Sequence, residues 1–447
     1  MGLSTVTRHH RTGLMKARTN NHPDIHMNLN VRGLHLSATL EINELSARLR
    51  AEGKHVYKFG LGQSPFPVPR VVVDALKTNA HQKDYLPVKG LPALREAVTE
   101  YYERTQGLER SPDDVLIGPG SKELMFILQL VYYGDLVIPT PSWVSYAPQA
   151  HIIGRHIRWL QTSQANDWHL TPEELERICL EDPGRPRLII LNYPSNPTGR
   201  TYPIEELKAI ARVARRFRVI LLSDEIYGEL HHKGQHVSIA RFYPEGTIIS
   251  SGLSKWCGAG GWRLGTFTFP SSLRWLLDAM AVVASETYTS TSAPIQYAAV
   301  RAFQGGTEIE HYLWQSRRIL RALGRHLMKM LTDAGVQVVE PKGAFYLFPD
   351  FSPFRDRLEA RGITTSTELC KRLLEETGVA ILPGSAFGRD PHELTARLAY
   401  VDFDGTRALE AAEHIPQHRP LNGEFLTQFC RNTLEGVQKI CDWLQSL

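Results

Sequence analysis

Four short segments combine residue types that could do chemistry. In Ser250-Ser251-Gly252-Leu253-Ser254-Lys255-Trp256 one lysine sits in a Gly-rich, apolar stretch, and Arg263 follows within Gly261-Trp262-Arg263-Leu264-Gly265. A lysine that sheds its proton in an apolar setting becomes a nucleophile. Taken alone, Lys255 reads as one of the many lysines that are simply solvated. Ser223-Asp224-Glu225-Ile226-Tyr227 brings a carboxylate to the end of an apolar run, with a phenol three residues on. A buried carboxylate needs a partner, although an isolated Asp here would serve equally to cap the next turn. Asn192-Tyr193-Pro194-Ser195-Asn196-Pro197-Thr198-Gly199 is stiffened by two X-Pro bonds. That rigidity would hold the Asn196 amide ready for a hydroxyl or a carboxylate, or could be purely structural. Gly118-Pro119-Gly120-Ser121-Lys122 would offer free N–H groups and a helix dipole to an anion. It is neither a P-loop nor a dinucleotide fingerprint, since Glu123 stands where a third glycine belongs, and a plain strand-to-helix turn explains it equally well.

These segments need elements to position them. Helical and strand-like stretches alternate with short Gly/Pro breaks, which predicts an α/β fold with a mostly parallel sheet. Asp114 to Ile117 reads as a strand and Ser121 to Val131 as a buried helix. Thr171-Pro172-Glu173-Glu174 carries the N-cap, first-turn proline and capping-box Glu of a helix reaching about Cys179. Arg187 to Asn192, Pro203 to Phe217 and Val219 to Ser223 form a strand, helix, strand unit, and Thr247 to Ser250 adds a strand. From about Arg317 the chain reads as an α+β layer: a helix to Ala334, strands near Val336 to Val339 and Ala344 to Phe348, and helices near Ser366 to Thr377 and Asn422 to Leu444. In such folds ligands sit beyond the carboxyl ends of the strands, where all four segments fall.

Composition narrows the function classes. Lys plus Arg number 51 against 47 Asp plus Glu in 447 residues, and they read as scattered, which argues against nucleic acid as a partner. No apolar run approaches the roughly 20 residues of a membrane-spanning helix. The five cysteines are odd in number and widely spaced, so neither a disulfide framework nor a zinc site is expected, and a reducing compartment fits. The first 23 residues carry Arg8, Arg11, Lys16 and Arg18 and no acid. We read residues 1–33 as a disordered tail of a cytoplasmic protein, with a mitochondrial targeting segment as the alternative.

Together the four segments resemble, in order and spacing, the class I/II aminotransferase family of fold type I pyridoxal-phosphate (PLP) enzymes. That family pairs a segment like Asn196-Pro197-Thr198-Gly199 with an Asp-x-x-Tyr after the next strand and a Ser-Lys followed by Gly-Trp-Arg. Tyr85 to Arg95, Gly343-Ala344-Phe345-Tyr346, Pro383 to Gly388 and Arg397-Leu398-Ala399-Tyr400 resemble further family motifs, so the likeness runs from about Leu36 to the C terminus. It implies the PLP-dependent transferase fold type I: a large PLP-binding domain over residues 61–316, a smaller α+β domain over 317–447, and a segment 34–60 packing with the latter.

The resemblance also implies roles. Lys255 would carry PLP in an imine link and then, released by substrate, shuttle the Cα proton. Asp224, ionised, would keep the pyridine nitrogen protonated so that the ring draws electrons. Tyr227 and Asn196 would hydrogen-bond the cofactor's phenolic oxygen, and Trp143 would stack on the ring. Ser121, Lys122, Ser254 and Arg263 would hold the phosphate, with Tyr85 reaching in from the second subunit of a homodimer with shared active sites. Arg397 would clamp the substrate carboxylate, with Gly62, Asn196 and Phe345 alongside. Two departures stand out. Gly252 replaces a frequent phosphate-binding Ser, so Ser254 takes that part, and Gly62-Gln63-Ser64-Pro65-Phe66 lacks the usual acidic residue.

The reaction implied is transfer of an amino group from an L-amino acid to a 2-oxo acid, with 2-oxoglutarate the expected acceptor. Other PLP chemistry on the same scaffold (β-elimination, C–S cleavage, synthase reactions) stays open, as does a non-catalytic amino-acid-binding regulator. No Lys or Arg occurs between Arg274 and Arg301, where dicarboxylate-specific relatives supply a cation. With Phe66, Trp143 and Phe345 expected near the pocket, neutral or aromatic amino acids are expected over strict aspartate specificity.

Overall fold

In a computed structural model, residues 28–31 and 38–447 are described, so most of the tail read over residues 1–33 lies outside the described residues. The apolar runs become strands. The first, β1 (Tyr57–Lys58), belongs to a minor pair, and the next seven build the main sheet: β2 (Val115–Gly118), β3 (Asp135–Thr140), β4 (Ile157–Gln161), β5 (Arg187–Asn192), β6 (Ile220–Asp224), β7 (Thr247–Gly252) and β8 (Gly265–Thr268). Their order is β2-β8-β7-β6-β5-β3-β4, and only β8 runs antiparallel to its neighbours. Side chains alternate across this sheet. Leu136 and Ile138 of β3 and Leu188 and Ile190 of β5 join the core under the helices Ser121–Val131 and Arg274–Thr287, while Val137 and Ile189 join the core under Pro172–Glu181 and Ile204–Arg216. Both faces are covered, which is why these strands read as unbroken apolar runs. Among the described residues no helix is long and apolar enough to cross a membrane.

The helix Ser121–Val131 has the bounds expected, and the Thr171 capping box forms as its spacing predicts. The C-terminal part differs in three ways. The long helix begins at Thr307, just after Gly305-Gly306, and runs to Asp333, so residues 316 and 317 lie inside one continuous helix. The strand expected over Val336 to Val339 is reduced to a single bridge between Gln337 and Asp350. The helix expected from Asn422 to Leu444 is two, Gly423–Phe429 and Arg431–Gln445, interrupted where Cys430 leaves helical geometry.

The later strands are short: β9 (Tyr346–Leu347), β10 (Val379–Ala380), β11 (Leu382–Pro383) and β12 (Ala396–Ala399). β12 lies between β11 and β9, and β10 pairs with β1. A buried arginine fastens this layer to the main sheet. Arg389 forks onto Glu393 and also donates to Thr140 Oγ1 (3.1 Å), Gln161 Oε1 (2.9 Å) and the Thr162 carbonyl (3.0 Å) at the ends of β3 and β4. The Asn196–Gly199 loop makes a second seam, its Gly199 carbonyl accepting the N–H groups of Lys342 and Gly343. Gly199 has a φ of +67°, and a Cβ there would meet the Tyr346 carbonyl at 2.6 Å, so glycine is required twice over.

Candidate active site

Strand register sets out the floor of the site. Asn192, Asp224 and Ser250 are neighbours across the carboxyl ends of β5, β6 and β7. The turns beyond those ends enclose a cavity of about 650 Å³ that includes Gly62, Ser121, Lys122, Trp143, Asn196, Asp224, Tyr227, Ser254, Lys255 and Arg263 in its wall. Ten residues singled out in the sequence therefore converge on one space. Three do not reach it. Arg397 lies just behind Asn196, Phe345 is fully buried edge-on to Tyr227, and Tyr85 is 90% exposed on this chain. Phe66 likewise sits in the core, against Tyr312 and Phe403.

Asp224 is buried at the bottom. Tyr146 donates to its Oδ2 (2.5 Å), Ser250 to its Oδ1 (3.3 Å), and it has no ion pair among the described residues. Burial lifts its pKa from 3.8 to about 6, although these hydroxyls and the Ile226 N–H favour the carboxylate. Asn192 supports the same strand end, donating to the Asp224 carbonyl and accepting from the Asn196 N–H. Lys255 donates to the Gly62 carbonyl (2.7 Å). Burial and the positive field of Arg397 lower its pKa to about 8, the range in which an amine is available as both nucleophile and base.

One end of the cavity is built for an anion. The helix Ser121–Val131 starts at Gly120 with no side chain capping its first N–H groups. Arg263 lies against that start, so close that a Cβ on Gly120 would stand 2.1 Å from its Nη2. Its backbone is left-handed (φ 55°, ψ 58°), an unfavourable conformation for an arginine that is common at functional turns. Lys122 lies 5.2 Å over the Trp143 ring, and burial, then the charge of Arg263, lowers its pKa. Two cations, uncapped helix N–H groups and the hydroxyls of Ser121 and Ser254 make a donor set suited to a phosphate.

Arg397 presents the other unusual charge. Its guanidinium is buried, donates to Asn196 Oδ1 (3.2 Å) and the Gly60 carbonyl (2.5 Å), and stacks 5.0 Å from the Tyr346 ring. It has no carboxylate partner among the described residues, and its Nε finds no acceptor. A buried cation in this state calls for an anion from outside the chain. Tyr346 also hydrogen-bonds Tyr227 (2.7 Å), and Gly62 leaves room for it, since a Cβ there would stand 2.1 Å from its hydroxyl.

Sequence reasoning passed over Tyr146, Asn192, Ser250 and Tyr346. Asn192 and Ser250 lie at strand ends within the segments that carry the chemistry, and Tyr346 adjoins Phe345. Nothing local connects Tyr146 to a carboxylate 78 residues away.

The chain is similar to known proteins over most of its length. The family model for aminotransferase class I and II matches residues 54–413. The aspartate aminotransferase of Geobacillus stearothermophilus is 36% identical over 379 residues, covering 83% of this chain and 93% of that protein. The aspartate/prephenate aminotransferase of Thermus thermophilus is 32% identical, covering 83% and 93%. The solved structure of Thermus thermophilus aspartate aminotransferase with maleate superposes with a TM-score of 0.79 at 28% identity, covering 94% of this chain and all of that one.

Because folding raises the Asp224 pKa, the folded chain holds that proton more tightly than the unfolded chain does. The associated stability is complete below about pH 4 and lost as pH rises through 6. In protein stripped of small molecules, Asp224→Asn should abolish a loss of roughly 3 kcal/mol across that window. Urea unfolding at a series of pH values measures this, and parallel profiles for the two proteins would refute it.

Proposed function

Because the chain belongs to the class I and II aminotransferase family and is a transaminase, acting between an amino acid and a 2-oxo acid, we propose that it does so with PLP held in the cavity around Lys255. The observation that carries this is the meeting of a lowered-pKa amine, a buried carboxylate and a cationic, serine-lined end within one space of about 650 Å³. That set fits PLP. Ser121, Ser254, Arg263 and the first N–H groups of the helix Ser121–Val131 would hold the phosphate, Asp224 the ring nitrogen, Asn196 and Tyr227 the phenolic oxygen, and Trp143 one ring face. When bound, PLP supplies an electron sink that stabilises negative charge at the substrate Cα.

The chain's own residues do the rest. Asp224, ionised at neutral pH, keeps a proton on its partner nitrogen, and Tyr146 and Ser250 hold the carboxylate in line. Lys255 is the base for the Cα proton, because its amine is available near neutral pH in the cavity where substrate reacts. Arg397, just behind the cavity wall at Asn196, would take the α-carboxylate bidentately by giving up its bond to Asn196, and would so fix which Cα bond faces the ring. Asn196 already touches Arg397 and thereby couples the two binding sites. Of the aromatic residues expected near the substrate side chain, Phe66 and Phe345 lie in the core and Trp143 lines the cavity. Relatives named for aspartate and for aspartate/prephenate span more than one substrate, so we favour a broad range over strict aspartate specificity, with 2-oxoglutarate as acceptor. Tyr85, 90% exposed here, is the residue through which a second subunit would complete the site in a homodimer.

Borohydride reduction of the holoenzyme should fix the cofactor to Lys255, read by peptide mapping. A label on Lys122, or none at all, would remove the central assignment. Arg397→Lys should raise KM for amino acids by about tenfold or more and lower kcat, since a point charge cannot reproduce the fork. Equal turnover of simple amines by the unaltered enzyme would send the search for the carboxylate clamp elsewhere. Mixing inactive Lys255→Ala and Tyr85→Ala subunits should restore part of the activity in heterodimers. Failure to recover any, with subunit exchange verified, rules out shared sites.

A further inference from the structure

The long helix Thr307–Asp333 borders a second charged space that the transaminase reaction leaves unused. A cavity of about 840 Å³ lies between one face of this helix, the turn at His232-Lys233 and the segment 417–426. Seven lysine and arginine side chains contribute to its wall, against one carboxylate, Asp333. That is an excess of six, 7 − 1, in a chain whose whole excess is 51 − 47 = 4. The basic residues that read as scattered along the sequence are thus gathered by folding.

Helix geometry brings them together. Arg317, Arg321, Arg325 and Lys329 are spaced four residues apart, so their charges stack along one face about 6 Å apart, and each like-charged neighbour pair costs roughly 0.2–0.5 kcal/mol. Three of the four find counter-ions: Arg317 in Glu229, Arg325 in Glu340 (3.2 Å) and Lys329 in Asp333 (2.6 Å). Arg321, Lys233 and Arg419 have no ion pair among the described residues.

The opposite wall is held in place by a dedicated contact. Arg318 donates to the carbonyls of Ala412 (3.2 Å), Ile415 (3.0 Å), Pro416 (2.9 Å) and Arg419, folding that segment over the helix and bringing Arg419 into the same space. Its guanidinium rests 5.1 Å from the ring of Trp314, which lines the cavity too. This wall lies beyond residues 54–413, the part that the family model describes. The N-terminal 23 residues, with four cations and no acid, cannot neutralise the cleft.

We propose that this cleft binds a small molecule bearing two or more phosphate groups, gripped by Arg321, Arg419 and Lys233. Guanidinium forks match phosphate oxygens bidentately, and three cations with no ion pair among the described residues, in the wall of one cavity, call for more than one negative charge. The volume falls within the roughly 300–1,000 Å³ typical of small-molecule sites. A space walled on two sides suits such a ligand better than an extended strand of nucleic acid, which needs an open basic track.

Calorimetric titration of the holoenzyme with pyrophosphate and with ATP at low salt tests this, since the active-site phosphate position is then already filled. Saturable binding at one site per chain is expected, weakened about tenfold or more in Arg321→Ala and in Arg419→Ala, with transamination of both variants unchanged in the absence of polyphosphate. ATP binding more tightly than pyrophosphate supports a nucleotide, and equal affinities support recognition of the phosphates alone. No saturable binding up to about 1 mM overturns the proposal. So does binding that survives both substitutions but is lost in Arg263→Ala, which would put the anion in the active site. An affinity for single-stranded oligonucleotides that grows with length and exceeds that for ATP would overturn it in favour of a nucleic-acid track.

Discussion

A carboxylate buried at the end of a central strand, with no ion pair among the described residues, is the constraint around which this protein is arranged. Asp224 can be tolerated there only because Tyr146, Ser250 and the Ile226 N–H surround it with donors, and even so burial lifts its pKa to about 6. Each donor comes from a different element, so the strand register of β5, β6 and β7 and the placement of the helix after Trp143 must all be correct at once. The sheet's two apolar cores hold that register. What the arrangement costs in stability it returns as a fixed negative charge aimed into the cavity, with no reorganisation needed when a positive partner arrives.

The same logic applies to the cations, with opposite sign. Arg397 is buried among the rings of Tyr346 and Phe387 and takes only neutral acceptors. Lys255, Lys122 and Arg263 share the cavity wall, and burial first, then neighbouring positive charge that includes Arg263, lowers the pKa of both lysines. A single site thus holds an excess of positive charge that anionic groups from outside the chain would balance. The geometry depends on the C-terminal layer staying seated on the main sheet. Arg389 and the Gly199 carbonyl make that attachment through hydrogen bonds to backbone and neutral side chains, which fix direction as well as distance.

Much of this was legible in the sequence. Both faces of the sheet are covered, so β5 and β6 carry the apolar runs Leu188 to Leu191 and Ile220 to Leu222, and the polar residue ending each run marks the ligand edge, whereas β3 and β4 were not anticipated. Helix signals were as readable where the start is marked locally, by the capping box at Thr171 and by the Pro119-Gly120 break before Ser121. Within the strand expected over Ala344 to Phe348 only β9 forms, the two-residue strands β10 and β11 carry no periodicity to detect, and the bridge at Gln337 is held by its partner Asp350 rather than by its own pattern.

The sequence by itself determined the residue types at the strand ends, the order of the four chemical segments and hence the family they resemble, because each of these is local and additive along the chain. Tertiary structure alone decided which side chains meet. It joined Tyr146 to Asp224, set Arg397 behind Asn196, turned Tyr346 rather than Phe345 toward that arginine, and moved Phe66 into the core. It also gathered cations that look dispersed along the chain onto one face of one helix and an opposing segment. Electrostatic interaction depends on distance through space and on burial, and neither is a function of separation along the chain.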